Sequence, residues 1–252
     1  MSVDANNSVK VFERPRSLTT AQFSYCPGCH HGLVTRIIAD TIDELGIQDH
    51  TVIVASVGCS VTMYEWFRCD GIQAAHGRAC AVATGIKRVN PNLIVFTYQG
   101  DGDLAAIGTA ESIHAANRGE NITVIFINNQ IYGMTGGQMA PTTLIGQRAT
   151  SCPDGRDARL AGYPIRFAEM IAQLDAPVYV TRQALCDQKR IMTASRAIKK
   201  AFQCQVEGKG YSLVEIVANC PTNWRMSPVQ TNKHLMNEVF KEFPLGDLVD
   251  RE

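Results

Sequence analysis

Charge of either sign in excess is missing from this sequence: 24 Lys and Arg stand against 24 Asp and Glu, for a formal net charge of +0. Proteins that bind nucleic acid or lie on an anionic membrane draw on a basic excess, so neither class is expected. No apolar run reaches the roughly 20 residues needed to cross a bilayer. Residues 1–10 are polar and lack the apolar stretch of a secretory signal. The expectation is a cytoplasmic protein with neither nucleic acid nor membrane as a partner. Internal repeats and low-complexity linkers are absent, which leaves no room for a solenoid or a disordered spacer. Ferredoxin-type runs of four closely spaced cysteines are also absent.

What is present is apolar material and strand-helix alternation. The 252 residues are 45% hydrophobic, enough for one large α/β domain or two small ones. Continuous runs rich in Val and Ile predict strands at 51–56, 93–98, 123–128, 177–181 and 212–217, the pattern of strands buried on both faces. Helices are predicted between them, at about 30–45, 76–89, 104–117, 163–174 and 187–207. The fold class is therefore α/β: a parallel sheet with helices on both faces. Ligands of such a sheet bind at the carboxyl ends of its strands, here the loops after Ser56, Tyr98, Asn128 and Val217. Segment 133–157 is long, polar and rich in Gly, Thr and Pro, and loops of that length are usually functional or disordered.

Two of those loops pair into a chemical pattern. Gly100-Asp101-Gly102 ends one strand and Asn128-Asn129-Gln130-Ile131 ends the next. The Asp101 carboxylate, the Asn129 amide oxygen and the Ile131 carbonyl offer three oxygens. With two phosphate oxygens and a water they complete the octahedral shell that Mg²⁺ prefers. Gly100 and Gly102 allow backbone amides close to a diphosphate, and the helix near Leu104 adds its positive end. His76-Gly77-Arg78 is read as the start of a helix after a turn at Asp70-Gly71, where a His and a helix N-terminus suit diphosphate oxygens.

Nine cysteines are many for a cytoplasmic chain, and in a reducing compartment they are not expected to be disulfides. Cys26-Pro27-Gly28-Cys29 has the spacing of a metal or redox pair. No strand precedes it, as a thioredoxin-like pair requires. Cys59 follows the first strand and Cys220 the last, so both are expected on the Mg²⁺ edge. Four thiolates converging there suit a [4Fe–4S] cluster or Zn²⁺. Cys80 and Cys204 fall in predicted helices and read as core thiols. Cys69, Cys152 and Cys186 also lie outside the pattern.

Taken together the motifs resemble the diphosphate-binding half of thiamine-diphosphate enzymes, and more specifically the β subunit of the 2-oxoacid:ferredoxin oxidoreductases. The resemblance spans nearly the whole chain through Cys26-Pro27-Gly28-Cys29, Val57-Gly58-Cys59-Ser60, His76-Gly77-Arg78-Ala79, Gly100-Asp101-Gly102-Asp103, Asn128-Asn129-Gln130-Ile131-Tyr132-Gly133 and Thr135-Gly136-Gly137-Gln138. It implies one thiamine-diphosphate-binding domain over 1–252, with a cluster-binding loop at about 24–31 and a C-terminal extension at about 219–252. It implies Mg²⁺ on Asp101, Asn129 and Ile131, and a [4Fe–4S] cluster on Cys26, Cys29, Cys59 and Cys220. Cofactor contacts would come from Gly58, His76, Gly77, Arg78, Gly100, Asp101, Gly102, Asp103, Asn129, Ile131, Thr135 and Gly136.

The implied reaction converts a 2-oxoacid, coenzyme A and oxidised ferredoxin to acyl-coenzyme A, CO₂ and reduced ferredoxin. The carboxylate that activates thiamine comes, in these families, from a separate pyrimidine-binding domain. An α subunit is therefore the expected partner, with room for γ and ferredoxin-like δ subunits. In many relatives a basic residue follows the Gly-Cys-Ser motif, but here the run is Val61-Thr62-Met63-Tyr64-Glu65. That departure leaves 2-oxoglutarate and 2-oxoisovalerate both open. Rival readings are a non-oxidative thiamine-dependent decarboxylase or carboligase, which needs no cysteine set, and a zinc-holding structural module, which needs no thiamine.

Overall fold

The computed structural model describes residues 12–251. In chain order the elements are α1 (His31–Leu45), β1 (Thr51–Ala55), β2 (Asp70–Gln73), α2 (Ala79–Val89), β3 (Ile94–Gly100), α3 (Thr109–Asn117), β4 (Thr123–Asn128), β5 (Ile131–Tyr132), β6 (Gln138–Met139), α4 (Ala158–Ala161), α5 (Phe167–Ala172), β7 (Tyr179–Ala184), α6 (Gln188–Val206), β8 (Ser212–Val217), α7 (Pro221–Trp224), α8 (Pro228–His234), α9 (Phe240–Glu242) and β9 (Gly246–Asp250). Single π-helical turns occupy Asp103–Ile107 and Leu235–Val239.

Seven strands form one sheet in the order β2-β1-β3-β4-β8-β7-β9. Every pairing is parallel except β7 with β9. Side chains alternate across the sheet, so each apolar run feeds two cores. Ile53, Phe96, Ile125 and Val214 face the layer of α1 and α6. Val52, Val95, Val124 and Leu213 face the layer of α2, α3 and α5. This two-sided burial is the reason the strands read as unbroken apolar runs. Helix ends follow local chemistry. Gly46 closes α1 in the left-handed region at φ 64°. Asp187 caps α6 by accepting the Arg190 N–H.

The structure corrects three sequence expectations. Asp70-Gly71 is not a turn but the start of β2, paired with Val52 and Ile53. This edge strand is exposed along its length and has no apolar run to announce it, as suits an edge blunted by polar residues. The helix expected from His76 begins only at Ala79. Gly77 sits at φ 76°, which a helix does not admit. The helix expected over 163–174 shrinks to α5, because Pro164 forces the residue before it out of helical conformation. The C-terminal tail ends in β9, antiparallel to β7.

A buried ion network anchors the sheet behind the strand ends. Arg182 is fully buried. Its Nε donates to Glu215 at 2.9 Å and its other nitrogens to Glu169 and to the Pro244 carbonyl. The second Glu215 oxygen accepts from Asn128 Nδ2 at 2.7 Å. Burial raises Glu215 and Arg182 pulls it back down, so the pair persists because each charge satisfies the other. Asn128 is thereby fixed at the point where β4 hands the chain to Asn129.

Candidate functional site

The carboxyl ends of β1, β3, β4 and β8 lie side by side, with Ala55 level with Tyr98, Gly100 with Ile127 and Asn128 with Val217. Asp101 leaves β3 directly into the π turn at Asp103–Ile107, a form of helix that recurs at functional sites. Its buried carboxylate accepts the Gly102 N–H at 2.9 Å, the Ile131 N–H at 3.2 Å and the Thr142 hydroxyl at 3.0 Å. Burial still raises Asp101 to about 7, with these bonds pulling the other way. A desolvated carboxylate of this kind is stabilised by a nearby cation.

Asn129 supplies the second group. One end of its side-chain amide stands 3.3 Å from Asp101 Oδ2 and 2.7 Å from the Ile131 carbonyl; a nitrogen turned there donates to both, and an oxygen turned there makes a set of three oxygens. Three oxygens facing one another repel unless a cation lies between them. Neighbouring ligands of an octahedral Mg²⁺ with bonds of about 2.1 Å stand about 3 Å apart, which the two separations bracket. Gln130, between Asn129 and Ile131, holds φ 58°, a left-handed conformation rare for a residue with a side chain and typical of sites held in strain. Its amide nitrogen donates to the Asn128 carbonyl and side-chain oxygen at 2.6 and 2.8 Å.

Gly102 is fitted to this corner: a Cβ on it would meet the Tyr132 ring at 2.8 Å. Gly58, Gly100 and Gly136 have no atom within 4 Å of where a Cβ would stand, so their backbones border open space. Asp103 does not face that space. Its oxygens accept from the Gly77 N–H at 2.8 Å and Gln99 Nε2 at 2.6 Å, and one lies 2.6 Å from His76 Nδ1. It therefore holds the His76-Gly77 turn in place. Arg78 pairs with Glu111 at 2.9 Å and donates to the Ile107 carbonyl. The Thr135 hydroxyl donates to Gln138 at 2.6 Å, within its own turn.

The four selected cysteines come together from both ends of the chain. A Cβ on Gly133 would stand 3.1 Å from Cys59 Sγ and 3.7 Å from Cys220 Sγ. Cys29 Sγ lies 3.8 Å from the Asn219 carbonyl. Burial, with neighbouring Cys220, Cys59 and Cys26 adding to it, pushes Cys29 up to about 12. Cys59 rises to about 11 through burial, then Cys220, Cys26 and Asp101. Cys29, Cys59 and Cys220 each lie near other members of the set, and Asp101 lies near Cys59 and Cys220. Among the described residues, no three His, Cys, Asp or Glu side chains close on a single ion. The oxygen set has only one such side chain, and the four thiols do not draw together that closely. His30 and His31 are both buried, near Asn232 Oδ1 at 3.1 Å and the Tyr98 hydroxyl at 2.9 Å respectively.

Sequence reasoning missed the residues that shape the loop over 133–157. Thr142 bonds Asp101, and the Thr143 hydroxyl donates to the Gln130 carbonyl at 2.6 Å. Arg156 pegs the loop from within. Its buried guanidinium donates to the carbonyls of Ala140, Pro141, Thr143, Ala161, Gly162 and Tyr163. No spacing rule reveals such a peg, because its partners are carbonyls that any residue carries. Arg156→Ala strands several buried acceptors, each costing about 1–3 kcal/mol. Limited proteolysis should then cut within 139–163 at least tenfold faster than in the wild type; an unchanged rate would show that the loop is held by something else.

Comparison with known proteins places this geometry among relatives. Residues 47–216 match the family described as thiamine pyrophosphate enzyme, C-terminal TPP binding domain. The chain is 50% identical to the ketoisovalerate oxidoreductase subunit VorA of Methanothermobacter thermautotrophicus over 96% of its own length and 50% of that protein. It is 39% identical to the 2-oxoglutarate synthase subunit KorB of Methanocaldococcus jannaschii, over 86% of this chain and 77% of the relative. The chain thus spans about half the length of the VorA relatives. Its fold matches a solved 2-oxoglutarate:ferredoxin oxidoreductase from Magnetococcus marinus with a TM-score of 0.79, covering 100% of this chain and 89% of that one at 23% identity.

Proposed function

Because this chain belongs to the 2-oxoacid:ferredoxin oxidoreductases, as a subunit with their thiamine-pyrophosphate-binding domain, we propose that it holds thiamine diphosphate, Mg²⁺ and a [4Fe–4S] cluster for the coenzyme-A-dependent oxidative decarboxylation of a 2-oxoacid. The carrying observation is the approach of the Asp101 carboxylate, the Asn129 side-chain amide and the Ile131 carbonyl, with the amide 3.3 and 2.7 Å from the other two, on the sheet edge that also carries Cys59 and Cys220. Asp101 would hold Mg²⁺ by charge, and Asn129 and Ile131 by neutral oxygens. Gly58, Gly100 and Gly136 would let main-chain groups approach the diphosphate. Asp103 keeps His76 and Gly77 at the rim. Cys26, Cys29, Cys59 and Cys220 would each bind a different iron, so their sulfurs need not close to the roughly 2.3 Å bonds of one zinc ion. When bound, thiamine supplies the electron sink for loss of CO₂ and the cluster a one-electron acceptor.

The substrate reading favours an apolar 2-oxoacid of the 2-oxoisovalerate kind over 2-oxoglutarate. Val57–Trp66 offers no Lys or Arg to a second carboxylate, and the VorA relatives are more similar than the KorB ones. Anaerobic purification of the native complex tests the whole proposal. Iron, acid-labile sulfide, magnesium and thiamine diphosphate should be present, with 2-oxoisovalerate reducing a viologen dye in the presence of coenzyme A.

Dependence on a partner follows from the carboxylates. Of the two glutamates beside the Cys59 and Asp101 motifs, Glu111 is paired with Arg78 and Glu65 is exposed beside Trp66. Neither is free to activate a buried thiamine ring. The purified single chain should therefore release no ¹⁴CO₂ from carboxyl-labelled 2-oxoacid, and addition of a pyrimidine-binding α subunit should restore release. Turnover by the single chain would refute this.

A further inference from the structure

Asn223 lies on α7, three residues past Cys220, outside every motif assigned above. Its side-chain nitrogen donates to two acceptors: the Gly133 carbonyl at 3.0 Å and Cys220 Sγ at 3.3 Å. A carbonyl only accepts, so the Gly133 contact fixes which end of the amide is nitrogen. The other end is fixed by crowding. A Cβ on Gly137 would stand 2.9 Å from Asn223 Oδ1 and 3.2 Å from its Cβ, so the turn and the amide fit only because residue 137 is glycine. The Gly137 N–H in turn bonds the Tyr132 carbonyl at 2.9 Å. One amide thus joins a cysteine sulfur to the turn that carries Thr135 and Gly136.

An N–H donor on a thiolate sulfur withdraws electron density from it. That stabilises a cluster most in its more electron-rich, reduced form, which is why hydrogen bonds to sulfur are a recognised control of cluster potential. We propose that Asn223 is a positioning residue that raises the reduction potential of the cluster through its bond to Cys220, and holds the Gly133–Gly137 turn at a fixed distance from that sulfur. This rests on the [4Fe–4S] reading of the four cysteines. The electron step concerned is the one-electron reduction of the oxidised cluster, with no bond made or broken in the chain.

The test uses the complete complex, purified without oxygen, with Asn223→Ala and the near-isosteric Asn223→Asp. Each is titrated with dithionite at pH 8 and followed by paramagnetic resonance of the reduced cluster. Both variants should bind thiamine diphosphate and show a lower midpoint potential, the shift being larger in Asn223→Asp, which replaces a donor with a negative charge. If alanine costs the cluster through lost packing, the aspartate variant supplies the reading. An unchanged potential in a variant that keeps its iron overturns the inference. So does loss of iron from both variants, which would make the role purely structural. Wild-type complex without iron would sink the cluster reading itself, and is seen before any variant is made.

Discussion

Asp101→Ala should abolish binding of thiamine diphosphate and Mg²⁺, by a factor of more than about 100, while the sheet stays folded. The carboxylate is the one charged member of the three-oxygen set, and Asn129 and the Ile131 carbonyl would be left to hold a divalent ion with neutral dipoles alone. At about 1.4 kcal/mol per tenfold, a hundredfold loss needs only about 3 kcal/mol, well within the cost of stripping a ligand from a desolvated site. Alanine also leaves the Gly102 and Ile131 N–H groups and the Thr142 hydroxyl without their acceptor, so Asp101→Asn is the cleaner form. It keeps the shape and removes the charge. The sign of its effect on the metal-free chain differs from the effect on binding. A carboxyl raised to about 7 by burial costs stability as pH rises above its unfolded value, and fully so above 7. Metal-free Asp101→Asn at pH 8 should then melt no lower than wild type while failing to bind. Calorimetric titration of the assembled complex with thiamine diphosphate and Mg²⁺ gives the answer, and unchanged affinity in either variant would remove the Mg²⁺ assignment.

Iron should leave with any one of four cysteines and with none of the other five. Cys26, Cys29, Cys59 and Cys220 influence one another across nearly the whole length of the chain. The remaining thiols have separate surroundings. Cys204 packs in the α1 and α6 core. Cys80 is buried against Gln99 and Ser112. Cys186 belongs to a small cluster with Val217 and Leu235. Cys152 turns toward the Gln147 carbonyl, and Cys69 is half-buried with Asp43 and Asp70 nearby. Each Cys→Ser change among the four should remove most of the iron and sulfide and the paramagnetic signal of the reduced complex. Cys204→Ser should leave all three intact. The contrast between Cys220 and Cys204 is decisive. Retention in Cys220→Ser with loss in Cys204→Ser would overturn the ligand set. Stoichiometric zinc, with neither iron nor sulfide in anaerobic protein, would end the oxidoreductase proposal.

The sequence by itself determined the central sheet and the oxygen set. Strands buried on both faces carry apolar runs, so β1, β3, β4 and β8 were legible from residue type, and β7 in its first half, before the buried Arg182. Asp101 and Asn129 were legible because each follows the end of a strand directly, with Ile131 two residues further on, and parallel strands deliver their ends to one edge. Tertiary structure alone decided the rest. β2 and β9 are strands only because β1 and β7 offer them hydrogen bonds; their own residues are too polar or too mixed to require it. Arg156 orders a long loop through carbonyls, which have no sequence signature. Asn219 binds the Cys26–Cys29 turn from 190 residues away, its side chain accepting the His30 N–H and donating to the Gly28 carbonyl, and Asn223 reaches Gly133 across 90. Periodicity and spacing record how a segment pairs with its own next few residues. Which distant side chain closes a site is set by strand order and register, and these exist only once the sheet has formed.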